Sequence, residues 1–469
     1  MLMKTASQSL TEQLAGRFAE RIRHRLLAPG ARLPSVRQCA QLQGVSPSTV
    51  VAAYDQLLAQ GLVEARKNRG FFVRESPPAR SDEAASPDAA QPRRPNGPVN
   101  AMSLMRSMFH KISDKPQPGM GVFPADWLES TFMPAAVRKV TSTRALHEFS
   151  SHYGEPMGDT GLRRALAHKL AALDVPATPD QIMTTVGATH ALDIVSRTLL
   201  RPGDPVMVEE PGWAVEFARL SALGMRVLPV PRRADGPDLD VMARYCELHQ
   251  PKLYISVSVL HNPTSYCLPP GAAHRVLQLA SRHGFYVVED DTYSHIAPPH
   301  ASRLCTLDGL QRTIYVGGFA KILAPNWRIG FLAAPPELVE PLLDTKLLAT
   351  LTTPALLEKA LALCIEQGQL RRHCERIRTR LDLARSRSVK LALNAGCRFA
   401  AEPAGLFGWV DTGVDTDVLA QRMLDEGYLL APGALFHAER KPVTLMRINF
   451  ATTQDAAFWK KYAEVVRRV

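Results

Sequence analysis

Apolar residues recur every four positions near the start of the chain. Leu10, Leu14, Phe18, Ile22 and Leu26 make one helical stripe, and Ser9 with Glu12 forms a capping box at its start. The phrase "LAPGARLPS" breaks the chain before a short helix over about Ser35 to Leu42. In "QGVSPS", Ser46 is placed as N-cap and Pro47 as the first helical residue, and Val50, Tyr54, Leu57 and Leu58 form the buried stripe of a third helix. "GLVEARKNRGFFV" then alternates as a two-stranded ribbon around Asn68-Arg69-Gly70. Beyond residue 101 the pattern changes. Short apolar runs, "QIMTTVG", "PVMVEE", "PKLYISVSVL", "FYVVEDD" and "TIYVGGF", alternate with helical segments such as "ATHALDIVSRTLL", and each run ends in polar residues.

The first pattern predicts a winged helix-turn-helix over residues 1–73, whose third helix can enter a major groove. The second predicts an α/β domain over residues 101–469 with a mostly parallel sheet and a small C-terminal subdomain, whose ligands sit beyond the strand ends. Between them residues 74–99 hold six prolines and no periodic apolar face. The segment 74–100 therefore reads as an extended Pro/Ala-rich linker.

Charge sharpens this division. The chain of 469 residues carries a net +11. Residues 1–73 hold ten Lys/Arg against four Asp/Glu, so more than half of the excess lies in that small module, which suits a polyanionic partner. Seven scattered cysteines without a C-x-x-C pair argue against a disulfide framework and a zinc site. No apolar run is long enough to span a membrane, and the start lacks a secretory pattern, so a cytoplasmic location is expected.

The polar residues that end the strands are the candidate chemistry. Taken singly, Thr189, Trp213, Asn262, Asp290, Tyr293 and Arg447 each have an ordinary structural reading as caps, turn residues or core aromatics. As a set they match the needs of an aldehyde cofactor held by a lysine. Lys321, in "GGFAKILAPNWRIG", supplies the amine for a Schiff base, and Asp290 keeps a pyridine nitrogen protonated. Asn262 and Tyr293 offer donors to a ring oxygen, and Trp213 a stacking face. Ala188 and Thr189, at a helix start after Gly187, offer amides to a phosphate beside the fork of Arg328.

The phrases "PGARLPSVRQCA", "GVSPSTVVAAYDQLLAQGLVE" and "RGFFV" resemble the GntR family of bacterial regulators over residues 8–73. The resemblance implies that Arg37, Ser48, Thr49, Arg66, Lys67, Arg69 and Gly70 face double-stranded DNA. Where the family usually has an arginine this chain has Pro47, and residues 46–60 contain no Lys or Arg, which shifts the expectation toward phosphate contacts from Arg37 and the wing. "YGEPMGDTGLR", "VGATHALD", "EEPGW", "HNPTS", "VVEDDTY", "GGFAKILAPNWRIG" and "LMRINF" resemble, in order, the fold-type-I aminotransferases that use pyridoxal 5'-phosphate. That likeness implies a homodimer in which Tyr153 reaches the partner subunit's phosphate, and an Arg447 that grips an α-carboxylate. It also marks a departure: aminotransferases usually carry hydroxyl residues where Gly318 and Ala320 stand. The two parts together resemble the MocR group of regulators, in which pyridoxal phosphate and an amino compound act as effectors. An active aminotransferase with an accessory DNA-binding module is the alternative. The basic module and the two missing hydroxyls favour the regulator.

Overall fold

The computed structural model describes residues 9–23, 27–66, 69–74, 115–142, 151–298 and 300–469. They divide between two compact units, Met1–Ile112 and Ser113–Val469.

In the first unit three helices, Leu10–Arg23, Val36–Gln43 and Pro47–Ala59, precede an antiparallel hairpin of Val63–Arg66 and Gly70–Val73. Each start has the chemistry expected of it. Ser9 and Glu12 exchange hydrogen bonds, as do Ser35 and Gln38, and Ser46 accepts from the Thr49 amide with Pro47 at the first helical position. Leu14, Phe18, Val50, Tyr54, Leu57 and Val63 form the core, and Tyr54 also donates to the Pro34 carbonyl at 2.8 Å. Leu58 is only half-buried, because the core stripe of the third helix passes through Ala53 instead. Leu26 and the wing residue Lys67 lie outside the described residues.

The second unit is built on an eight-stranded sheet. Its order is Ile182–Thr185, Gly330–Ala333, Thr313–Gly318, Tyr286–Asp290, Leu253–Ser256, Pro205–Glu210, Arg226–Arg233 and Gly236–Pro237. The four central pairings from Thr313–Gly318 to Arg226–Arg233 are parallel, and Gly330–Ala333 is antiparallel to both its neighbours. Strands such as Thr313–Gly318, buried at every position, are continuous apolar runs because helices cover both faces of a parallel sheet. Three strands of this sheet escaped the pattern reading: Arg226–Arg233, interrupted by prolines, the two-residue Gly236–Pro237, and Gly330–Ala333. A smaller antiparallel sheet, in the order Arg398–Phe399, Phe407–Asp411, Leu445–Asn449, Ala431–Pro432, forms the C-terminal subdomain. Among the described residues no helix is long and apolar enough to cross a membrane.

Candidate functional site

Parallel strands end together at one edge of the large sheet. Tyr286–Asp290 delivers Asp290, Thr313–Gly318 runs into the turn that holds Lys321, and Pro205–Glu210 runs into the turn that ends at Trp213. Trp213 and Asp290 line one small cavity with Gly212, Glu216 and His261. The Lys321 Nζ donates to the Gly121 carbonyl at 2.8 Å and lies 5.8 Å from the centre of the Tyr293 ring. Arg447 comes from the small sheet. A Cβ at Gly121 would stand 3.7 Å from Lys321 Nζ and 3.8 Å from Arg447 Nη1, so the two cations approach the same stretch of backbone.

Arg447 has an unusual environment for a buried cation. It is 4% exposed and sits between Phe407 and Phe436, with its guanidinium carbon 4.4 and 5.1 Å from the ring centres. It donates to Asn262 Oδ1 at 2.9 Å and to the Gly119 carbonyl at 2.6 Å, while its buried Nε has no partner. No carboxylate pairs with it among the described residues. Burial pulls its pKa down to about 10, with the Tyr293 hydroxyl opposing. An uncompensated, partly unsatisfied guanidinium is costly to bury, and an anionic ligand removes that cost.

Lys321 and Asp290 are poised by the same burial. Desolvation lowers Lys321 to about 8, with Arg447 and Arg328 acting the same way and Asp290 opposing. Desolvation raises Asp290 to about 6, against the Thr292 hydroxyl and amide that both donate to its Oδ1. Glu216 raises it further and Lys321 lowers it. Burial also pushes the Tyr293 hydroxyl up, so this phenol stays protonated as a donor.

The helix Ala188–Leu199 begins at Gly187 without a side-chain cap, and the Ala188 and Thr189 amides have no partner among the described residues. Arg328 reaches the same place, donating from Nη2 to the Val186 carbonyl at 2.9 Å. Gly187 has φ +82°, and a Cβ there would come within 2.6 Å of Arg328 Nη2, so the position admits only glycine. Free amides at a helix N-terminus beside a guanidinium form a seat for a dianion. The amine, the acid for a ring nitrogen, two donors for a ring oxygen, an indole and this seat together fit pyridoxal phosphate.

Tyr153 stands apart from the set. It is 85% exposed, and its neighbour Gly154 lies against Thr352 and Thr353, after the exposed Leu348 and Leu351. Sequence reasoning did not find Gly121, Phe407 or Phe436. Aromatic residues within apolar runs carry no mark that separates a site wall from a core.

On the first unit, Arg37, Ser48, Arg69 and Gly70 are exposed, and Thr49 is half-buried. The Ser48 and Thr49 hydroxyls both bond to Ser46 Oγ, at 2.7 and 2.8 Å. Arg66, half-buried, has partners within the wing. Its Nε donates to Glu64 at 2.7 Å, and its guanidinium lies 4.6 Å from the centre of the Phe72 ring. Arg32, by contrast, was overlooked. It bridges to Phe72 beside the hairpin, is exposed, and makes no ion pair among the described residues. Its guanidinium nitrogens would lie 3.6–3.7 Å from a Cβ on Gly70, at the wing tip.

Comparison with known proteins agrees with both halves. Residues 121–459 match the family described as aminotransferase class I and II, and residues 10–73 match the bacterial regulatory proteins of the gntR family. The chain is 30% identical to 2-aminoadipate transaminase of Thermus thermophilus, over 62% of this chain and 75% of that one. It is 31% identical to the probable rhizopine catabolism regulatory protein MocR of Rhizobium meliloti, over 76% of this chain and 73% of that one. Among solved structures, the α-aminoadipate aminotransferase LysN of Thermus thermophilus, complexed with N-(5'-phosphopyridoxyl)-L-leucine, superposes with a TM-score of 0.70 at 24% identity. That match covers 78% of this chain and 94% of that one. The chain belongs to the aminotransferase class I and II family and carries a GntR helix-turn-helix domain ahead of it, the architecture of the MocR-type transcriptional regulators.

Proposed function

We propose that this protein is a transcriptional regulator whose aminotransferase-like domain holds pyridoxal 5'-phosphate and uses it to read an amino acid or related amino compound. The observation that carries the reading is Arg447: a buried guanidinium without a counter-ion among the described residues, sharing the space around Gly121 with the amine of Lys321. A carboxylate met by Arg447 brings the amino group of the same molecule toward Lys321.

The cofactor is pyridoxal 5'-phosphate. When bound, it supplies an aldehyde that combines with amines and a ring that withdraws electrons from the attached carbon. In this reading Ala188, Thr189 and Arg328 hold its phosphate and Asp290 holds a proton on the ring nitrogen. Asn262 and Tyr293 donate toward the ring oxygen, and Trp213 covers one face. Lys321, lowered to about 8, is uncharged in roughly a tenth of molecules at pH 7, against a negligible fraction for an ordinary lysine. The uncharged form is the nucleophile.

Exposed Tyr153, Leu348 and Leu351 support a homodimer in which Tyr153 of each chain reaches the other's phosphate site. Two reader domains then suit an operator of two half-sites. On each reader Arg37, Arg69 and Arg32 supply the phosphate contacts, with Ser48, Thr49 and the Gly70 backbone beside them. Arg66 serves the wing by holding Phe72.

Visible absorbance of the full chain titrated with pyridoxal phosphate, with and without amino acids, tests the cofactor and the effector together. DNA retention measured in the same mixtures tests the coupling. A cofactor band that amino acids shift, accompanied by altered DNA affinity, is the expected result. Sustained exchange of amino groups between an amino acid and a keto acid, with DNA affinity unchanged, would establish the aminotransferase reading instead.

A further inference from the structure

A second cavity, of about 490 Å³, adjoins the last residue of strand Pro205–Glu210. Its volume is in the range that small-molecule sites occupy. Alternation along the strand sends consecutive residues to opposite faces. Glu209 lines the small cavity that holds Trp213 and Asp290, while Glu210 lines this second one. The two spaces are therefore separate, and one short piece of chain forms a wall of each.

The walls of the second cavity are chemically divided. On its inner side Glu210 accepts from the Ala438 amide through Oε1 at 2.8 Å and stands 3.7 Å from His437 Nδ1. Its other oxygen has no partner among the described residues. Burial opposes ionisation of this carboxyl, but the bonds from His437 and Ala438 outweigh it and hold the pKa below the ordinary value. The sides are apolar: Pro229, Pro231 and Tyr245, whose hydroxyl donates to the Pro229 carbonyl at 3.1 Å and so fixes the ring. At the rim stand Arg244, exposed and without an ion pair among the described residues, Leu248, an aliphatic side chain 73% exposed, and Lys441 with Glu439, whose charges face each other at 3.7 Å. An available carboxylate oxygen, an apolar wall and an available guanidinium form a sequence of contacts with one matching ligand class.

We propose that this cavity is a second, regulatory site for a zwitterionic amino acid with an apolar side chain, its ammonium on Glu210, its carboxylate on Arg244 and its side chain against Tyr245 and the prolines. The site connects to the cofactor region through hydrogen bonds. Gly212 donates to the Phe436 carbonyl at 2.8 Å, and Ala438 donates to Glu210, so the turn Glu210–Trp213 and the segment Phe436–Ala438 are fastened at two points. Trp213 is at one end of this connection and the Phe436 ring beside Arg447 is at the other. A ligand that moves Glu210 thus acts on both the ring wall and the carboxylate grip.

The test uses a probe that cannot combine with an aldehyde: the trimethylammonium betaine of phenylalanine, which keeps both charges and the apolar body but has no N–H. Equilibrium dialysis against the full chain, with and without added pyridoxal phosphate, measures its binding whether or not the cofactor reading holds, and the visible spectrum of the loaded chain measures the coupling. Saturable binding is expected, weakened at least tenfold in Glu210→Gln and in the surface variant Arg244→Gln, and unchanged in Arg447→Lys. A small shift of the cofactor band should accompany saturation in the wild type. Absence of saturable binding overturns the proposal, as does equal binding to wild type and both cavity variants, or loss of binding in Arg447→Lys alone. Binding that follows the cavity variants without any spectral shift keeps the site and overturns the coupling.

Discussion

Arg447 and Arg32 carry the same guanidinium in opposite settings. Arg447 is enclosed between two phenyl rings, held by Asn262 and Gly119, and has an unpartnered nitrogen. Arg32 stands in solvent beside the glycine of a hairpin tip. Water screens the second and not the first, so one arginine can discriminate among small ligands while the other can only add to the attraction of a polyanion. The contrast extends to the whole molecule. The cofactor region consists of a few buried groups, and the surface proposed to face DNA of several exposed ones. Deletions in the first should be close to all-or-none, and deletions in the second graded.

The largest effect expected is at Lys321. Lys321→Ala should abolish the visible cofactor band and any borohydride-trapped adduct, and an unchanged band would remove the central assignment. In the wild type, cofactor uptake by apo-protein should speed up as pH rises through about 8, where Lys321 loses its proton, and level off above it. A rate that kept climbing to pH 10 would mean an ordinary lysine. Asp290 adds a lower limb: below about pH 6 it takes up a proton and can no longer hold one on the ring nitrogen.

Arg447→Ala comes next. Removing one partner of a desolvated charge pair costs about 2–5 kcal/mol, so affinity for an amino acid should fall roughly thirtyfold or more. A simple alkylamine, lacking the carboxylate, should lose little. Titrations that follow the cofactor band give both numbers, and equal losses for the two ligands would make Arg447 a structural residue.

How much of this was readable beforehand follows from the same physics. Asp290 and Lys321 were legible as a pair, because an amine and a carboxylate that follow buried apolar strands match the needs of one cofactor together. Phe407 and Phe436 were not, since a wall of the site and a piece of core look alike in sequence. The parallel sheet was legible from its uninterrupted apolar runs, whereas Arg226–Arg233 was hidden by its alternation of prolines and valines. The pairing of Arg66 within the wing was foreseeable. Residues two apart on a strand share a face, which puts Glu64 beside Arg66. Arg32 could not have been found this way, because only folding brings it to Gly70.

A gain is expected at the two positions where hydroxyls are missing. Gly318 does not occupy the left-handed region, and a Cβ there would meet Ala188 N at 3.5 Å and Ala188 Cβ at 3.6 Å, both ordinary contacts. Gly318→Ser therefore has room beside the very amide proposed to hold the phosphate, and Ala320→Ser adds a second donor. Each charge-assisted bond recovered at about 1.4 kcal/mol should tighten pyridoxal phosphate roughly tenfold. Equal affinity of wild type and variants, with the fold intact, would mean that Arg328 and the helix amides already satisfy the phosphate.

The smallest effects belong to the wing, and there the comparison is sharpest. Each phosphate contact contributes about 0.9 to the slope of log affinity against log salt. Arg69→Ala and Arg32→Ala should each flatten the slope by about that amount and weaken binding similarly for every DNA sequence. Arg66→Ala should leave the slope nearly unchanged, because its charge already faces Glu64. Any loss it causes should instead appear as lower stability of the hairpin, through the contact with Phe72. Measuring binding of the three variants at several salt concentrations on specific and scrambled DNA separates these outcomes. If Arg66→Ala flattened the slope and Arg32→Ala did not, the Glu64 pair would have to open on DNA, and the wing would contact the backbone through the strand rather than through its tip.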